Sequence, residues 1–247
     1  MLAARLIERN LVVYRHTWVA FVTGFAEPVL YLFSIGIGIG ALVGDVGGVD
    51  YPSFVAPAML AASAMNGAVF DATFGVFFKF RFTKLYDAVL ATPLRPRDVA
   101  LGEIGWALLR GEVYAAVFLL VMSLSGYVHS AQALLVLPAA TLIGFAFAGL
   151  GMAATTYMRS WQDFEYIALA TLPLFLFSAT FYPLSTYPPL GRLVVQLSPL
   201  YSGVALTRGF TLGTTGPAAL AHAGYLLALG LIGVAVASRR LDRLLLR

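Results

Sequence analysis

The sequence predicts an all-α membrane protein with six transmembrane helices, and three observations carry that prediction. Its 247 residues are 60% hydrophobic and only 11% charged, against about 25% charged residues in ordinary soluble domains. Mean hydropathy is +0.85. Apolar runs near the ~20 residues that a helix needs to cross a hydrocarbon core of about 30 Å recur at roughly residues 19–42, 54–78, 104–127, 133–157, 164–182 and 217–237. An even number of crossings returns both termini to one side.

Charge placement says which side. Arg5, Arg9 and Arg15 precede the first run; Lys79, Arg81, Lys84, Arg95 and Arg97 separate the second from the third; Arg159 separates the fourth from the fifth; and Arg239, Arg240, Arg243 and Arg247 close the chain. The opposite loops hold Asp45, Asp50 and His129, with only Arg192 and Arg208 as fixed cations. The positive-inside rule then places both termini in the cytoplasm. The excess of arginine over lysine fits a bacterial source, and so the inner (plasma) membrane. The first apolar run begins late and is longer than a cleavable signal core, so it is expected to remain as an anchor. The chain has no cysteine, which excludes disulfides, thiol catalysis and cysteine metal sites.

Taken in order, residues 1–18 read as an interfacial helix. Ala3, Ile7, Leu11, Tyr14 and Trp18 fall within about 80° of arc, with Arg5, Glu8, Arg9 and His16 opposite; a frayed tail is the other reading. The first span ends in a glycine run in which Gly36, Gly40 and Gly44 make a small-residue stripe suited to close helix packing. Gly144 and Ala148 offer a similar stripe in the fourth span. A dinucleotide fingerprint over Gly36, Gly38 and Ala41 is rejected, because it requires a preceding strand.

Between the second and third spans lies a stretch reading LYDAVLATPLRPRD from Leu85 to Asp98. Thr83 is placed to cap a short helix over 84–92, on which Leu85 and Val89, and Tyr86 and Leu90, form i,i+4 pairs. Pro93 ends it, Pro96 keeps Arg95 extended, and Asp98 is placed to cap the helix that follows. Two amphipathic turns held between spans make a lever that a cytoplasmic partner could push; the same pattern suits an ordinary interfacial hairpin.

Five ionisable residues fall within or at the edge of spans: Glu27, Asp71, Glu103, Arg110 and Glu112. A charge at mid-membrane costs about 2.5–3.5 kcal/mol on insertion scales, so compensation is expected. Glu27, Asp71 and Arg110 share a depth of roughly 10–14 Å inside the cytoplasmic boundary, and Arg110 is expected to neutralise Glu27, Asp71 or Glu112. Such a network is either a structural brace or a polar lining for substrate entry or proton relay. Between the fifth and sixth spans, Pro183, Pro188, Pro189 and Pro199 break an apolar segment into pieces. Residues 183–213 therefore read as two short outer helices, re-entrant or lying along the interface.

Several chemistries are excluded. No Gly-Lys pair of a phosphate-binding loop is present, so a nucleotide that drives this protein binds a second polypeptide. His16, His129 and His222 lie apart without metal-ligand spacing, no Gly-x-Ser-x-Gly marks a nucleophile, and no basic soluble surface suits nucleic acid. Two rivals to a driven transporter remain: a proton-coupled secondary transporter relaying through Asp71 or Glu27, and a membrane-embedded transferase using Glu103, Glu112 and Asp163.

Three stretches carry a family resemblance: KLYDAVLATPLRPRDVALGEIGWALLRG, AEPVLYLFSIGIGIG and LFLFSATFYPLSTYPPLGRLVVQLSPLYSGVALTRGF. They resemble ABC-2-type transporter permeases, particularly nodulation lipo-oligosaccharide exporters and daunorubicin-type drug exporters, over nearly the whole chain. The resemblance implies an N-terminal interface helix, a cytoplasmic coupling helix between spans 2 and 3, and two short outer helices before span 6. It implies a homodimer of permeases with two copies of a separate ABC ATPase subunit, which would bind ATP and Mg; none binds in this chain. Coupling would fall to Lys84, Leu85, Tyr86, Asp87, Leu90, Pro93 and Arg95, with Arg5 and Arg9 on the interface helix. The outer gate would be formed by Pro183, Pro188, Pro189, Arg192, Pro199 and Arg208. The cargo implied is an amphiphile: a drug, glycolipid or lipid-linked saccharide, moved out of the cytoplasm or inner leaflet through a membrane whose lipids the protein also meets.

Overall fold

In lipid every backbone N–H and C=O must find its partner within the chain, and here helices supply nearly all of those partners. A computed structural model describes residues 2–14 and 18–245, the side chains of 2–5, 13, 14, 18–28, 37, 87, 90 and 245 excepted. The helices are α1 (Leu2–Tyr14), α2 (Trp18–Val43), α3 (Tyr51–Phe70), α4 (Val76–Arg81), α5 (Leu85–Leu90), α6 (Pro96–Leu124), α7 (Val136–Thr155), α8 (Phe164–Phe177), α9 (Pro189–Gln196), α10 (Pro199–Leu212) and α11 (Ala218–Leu245). Between α2 and α3 a two-stranded hairpin pairs β1 (Asp45–Val46) with β2 (Val49–Asp50). Its turn residues Gly47 and Gly48 both have positive φ, the geometry that a tight two-residue hairpin needs.

Among the described residues, four helices are long and apolar enough to cross a membrane: Tyr51–Arg81, Pro96–Leu124, Ala131–Thr155 and Ala218–Leu244. The first apolar run of the sequence lies in α2, whose described apolar part is Val29–Val43. The fifth run differs from its expected extent of 164–182. Helix α8 stops after 14 residues, about 21 Å at 1.5 Å per residue. The chain leaves the helix at Ser178–Thr180, where Ala179 has φ 56°, and these three residues are buried.

Helix α3 is the centre of the bundle. Asp50 caps it through Ser53 N, and Pro52 sits in its first turn, where a missing N–H costs nothing. Small side chains let α2, α6, α7 and α10 close around it; Val55, Ala56, Ala58, Leu60, Ala61 and Met65 are sealed from solvent. After Phe70 one π-helical turn, Asp71–Gly75, leads into α4, so that Tyr51–Arg81 is a single rod. Such a turn rotates the residues beyond it and releases backbone carbonyls. Thr155 of α7 donates to the Ala72 carbonyl at 2.9 Å, holding the irregular turn against its neighbour.

Glycine packing differs in part from the expected stripes. Gly36 and Gly40 do face a neighbour, since a Cβ added at either would lie 3.4 or 3.3 Å from Pro52 of α3, but Gly44 has φ +71° and open space around it, and it ends α2 rather than packing. The tightest crossing joins α7 to α11 at Gly149, Gly230 and Gly233. A Cβ on Gly149 would stand 2.7 Å from the Gly230 carbonyl oxygen, and one on Gly233 would collide with the Gly149 carbonyl carbon. Main chain touches main chain there. Gly233→Val should therefore cost about 1–3 kcal/mol by forcing the helices apart, whereas Gly38→Ala, which meets nothing within 4 Å, should be neutral within about 0.5 kcal/mol. Thermal unfolding of the purified chain in detergent checks both; equal midpoints for the two variants would contradict the crossing.

Candidate functional site

The loop between α4 and α6 opens with Lys84 at φ 48°, so the short helix begins at Leu85 and ends at Leu90, inside the expected 84–92. Thr83 does not cap it: its hydroxyl turns back to donate to the Lys79 carbonyl at 3.1 Å. At the far end, Thr92 Oγ1 donates to Val89 O at 2.5 Å. Arg95 is extended, as a residue before proline should be, and Asp98 Oδ2 accepts its N–H at 2.9 Å, closing the first turn of α6.

Tyr86 is the correction that matters most here. Expected on the surface that meets a partner, it is 1% exposed and stands against Phe80 with ring centroids 6.5 Å apart. Its i+3 neighbour Val89 and its chain neighbour Leu85 also pack toward the bundle. Helix α5 is thus clamped by its inner face, and Lys84, Ala88, Pro93 and Arg95 are exposed. The side chains of Asp87, Leu90 and Arg5 lie outside the described residues. Arg9 is exposed and donates to Asn10 Oδ1 at 3.2 Å.

The clamp closes on Glu103 of α6, a carboxylate only 4% exposed. Its Oε2 accepts from Lys79 Nζ of α4 at 2.5 Å and from Asn10 Nδ2 of α1 at 3.4 Å. The Tyr86 hydroxyl lies beside the same carboxylate, and its pKa is pushed well above the usual tyrosine value by burial first and then by the Glu103 charge. The Tyr86 hydroxyl and Glu103 Oε1 are both sealed from solvent beside one another. Four helices therefore converge on one carboxylate: α1, α4, α5 and α6. Helix α1 reaches it by one edge of its apolar stripe together with the residues beside that edge. Leu6 and Asn10 are buried while Leu11 is 49% exposed, and Ile7 sits over Gly105, where a Cβ would come within 2.9 Å.

Deeper along the same pair of helices, Arg110 NH2 meets Asp71 Oδ1 at 2.7 Å, with both side chains about nine-tenths buried. Asp71 begins the π-helical turn, so the irregular turn and the charged pair are one local feature. The Arg110 guanidinium also lies 5.6 Å from the Tyr114 ring centroid, and a narrow cleft lined by Ser63, Gly67, Asp71, Arg110 and Tyr114 opens between α3 and α6. Asp71 Oδ2 has no hydrogen-bond partner. Glu112 instead takes a hydrogen bond from Thr141 of α7. Of the expected network, Arg110 and Asp71 are brought together, Glu103 and Glu112 have separate partners, and the Glu27 side chain lies outside the described residues.

At the opposite end of the bundle the four prolines start helical turns rather than merely interrupting them. Pro183 precedes a 3-10 turn at Leu184–Thr186, Pro188 and Pro189 open α9, and Pro199 opens α10 behind the capping residue Ser198. The two arginines staple freed carbonyls. Arg192 donates to Tyr187 O at 2.8 Å and Ser185 O at 2.7 Å, while Arg208 donates to Phe54 O and Ala179 O, each at 3.0 Å. Among the described residues, no group of three or more histidine, aspartate or glutamate side chains could hold a metal ion. Sequence reasoning missed Asn10 and Lys79 as partners of Glu103. Lys79 reads in the sequence as one of the orienting cations, and Asn10 is the single amide inside an otherwise apolar and charged segment.

Comparison with known proteins agrees with this arrangement. Residues 2–211 match the model of the ABC-2 type transporter family. The chain is 33% identical over 242 residues to nodulation protein J of Rhizobium leguminosarum bv. trifolii, covering 97% of this chain and 92% of that protein. It is 31% identical to nodulation protein J of Rhizobium meliloti over 88% of this chain and 82% of the relative. It is also 26% identical to the inner membrane transport permease YadH of Escherichia coli, over 76% and 72%. A match that covers most of the chain, on a multi-pass helical bundle built for transport rather than catalysis, places it: the chain belongs to the ABC-2 type transporter family and is a transmembrane permease subunit.

Proposed function

We propose that this permease is the membrane half of an ATP-driven exporter, in which a separate ABC ATPase, present in two copies with its ATP and Mg, pushes on α5 and so moves an amphiphilic cargo outward. The observation that carries the reading is the Glu103 junction. A force applied to the exposed edge of α5 reaches α4, α6 and α1 through Tyr86, Lys79 and Asn10, because all of them close on one buried carboxylate. In this reading α2, and α8 together with the non-helical stretch that follows it, complete six spans, the α5 end and both termini face the cytoplasm, and the membrane is the bacterial inner membrane. A drug, glycolipid or lipid-linked saccharide suits the apolar walls.

A second copy of the chain fits beside α8. No residue of that helix is buried, and Tyr166, Leu169, Leu172 and Phe177 are each at least half exposed. A helix too short to span about 30 Å alone gains from a neighbour that shares its depth, so a homodimer packed along α8 is the arrangement proposed.

Asp71 and Arg110 serve, in this reading, as a brace that fixes α3 against α6. Removing one partner would strand the other in lipid at a cost of about 3–5 kcal/mol.

Three outcomes are expected. Tyr86→Ala should retain ATPase binding in co-purification but lose cargo-stimulated ATP turnover by tenfold or more, whereas Tyr86→Phe, which keeps the ring in the bundle and removes only the hydroxyl beside Glu103, should lose a smaller part of it. Normal stimulation in Tyr86→Ala would remove the junction from the transmission path. Arg110→Ala should lower folded yield steeply, and the exchange Asp71→Arg with Arg110→Asp should restore it; failure of the exchange with transport that then tracks a proton gradient would favour proton coupling instead. Finally, the purified chain alone should move no cargo in proteoliposomes, and flux without an ATPase subunit would overturn the proposal.

A further inference from the structure

The end of the bundle remote from α5 holds a cationic group whose chemistry is not used up by its structural contacts. Arg208 of α10 is stacked on Phe54, with the guanidinium carbon 3.8 Å from the ring centroid. Its Nε donates to Phe54 O, and its NH2 donates to Ala179 O at 3.0 Å and Thr180 O at 3.4 Å. All three acceptors are neutral carbonyls. They satisfy donors on one edge of the fork and leave the formal charge without a counter-ion, since no ion pair forms at Arg208 among the described residues. A side chain chosen only to tie carbonyls would need no unopposed positive charge, and an unopposed charge in a low-dielectric surround attracts an anion.

The remaining nitrogen, NH1, makes no hydrogen bond among the described residues, and Arg208 lines an open cavity of about 210 Å³ between α10 and the start of α11. The other polar groups on that wall are Thr214, Thr215 and His222. His222 uses Nδ1 for Ser202 Oγ at 3.1 Å, which leaves Nε2 free, and Thr215 is held in place by its bond to Gln132 Oε1 at 2.9 Å. No carboxylate lines the cavity. Gly209 and Gly216 on the same wall keep backbone accessible. A guanidinium nitrogen, an imidazole nitrogen and hydroxyls around one opening, with alanines beside them, match an oxyanion attached to an apolar body.

We propose that this cavity is a binding subsite for the phosphate or equivalent oxyanion of an amphiphile's headgroup, with Arg208 as its charged anchor and His222 and Thr214 as hydrogen-bonding partners. The subsite does not rest on the export reading, because binding is measured on the permease without any ATPase subunit, and failure of either leaves the other standing.

The test uses the full chain in nanodiscs of zwitterionic phosphatidylcholine, titrated calorimetrically with dioctanoyl phosphatidic acid and, separately, with inorganic phosphate. Saturable binding of phosphatidic acid is expected, weakened about tenfold or more in Arg208→Gln. Because Arg208 also ties three carbonyls, Ala218→Phe provides the second variant: Ala218 is exposed at the cavity, so a phenyl ring there fills the opening while the staple stays intact, and binding should fall by a similar factor. Phosphatidic acid bound far more tightly than inorganic phosphate identifies a headgroup on an apolar tail as the source. Equal affinity for both, lost in the same variants, identifies the free oxyanion. Unchanged affinity for both ligands in Ala218→Phe, or in a folded Arg208→Gln, overturns the subsite.

Discussion

Glu103 is the constraint on which the rest of the α5 end depends. A carboxylate almost closed off from solvent must be compensated, and the groups that compensate it come from other helices: Lys79 at the end of the α3–α4 rod and Asn10 on α1. The amphipathic helix α5 owes its position to the same place, because Tyr86 is driven into the space beside that carboxylate. Solvation demand at one atom pair thus sets where the loop, the interface helix and two spans meet.

The same logic recurs through the molecule in milder forms. Several side chains reach across to backbone carbonyls of a neighbouring element. Thr155 reaches the carbonyl of Ala72 in the π-helical turn, Thr207 reaches that of Pro57, and Arg208 reaches those of Phe54 and Ala179. These bonds join segments far apart in sequence and help to fix their tertiary position. The long helices also project: α6 has 29 residues, about 43 Å, well beyond a core of about 30 Å. Glu103 lies near the first end of that helix, so the excess length lets the junction stand clear of the helix's middle.

What was legible in the sequence were features set by local pattern. The apolar runs at α3, α6, α7 and α11, the break between 183 and 213 and the extended Arg95 all follow from composition, proline and the period of the helix. The shared depth of Asp71 and Arg110 was also readable by counting residues from the boundary, and the two do meet. What was hidden depended on approach between distant segments. Tyr86 has the same spacing whether it faces a partner or the bundle, and only the buried Glu103 decides. The stop in α8 arises at Ala179, a non-glycine residue in the left-handed region that no propensity would choose. Gly149 finds Gly230 and Gly233 across some eighty residues, a separation over which periodicity carries no information.

That last crossing also shapes how the protein can move. Side chains between helices can change rotamer and let one helix slide over another, but where peptide planes abut there is nothing to rearrange. Helices α7 and α11 are therefore held as one unit, and any relative motion within the bundle would have to fall elsewhere than between them.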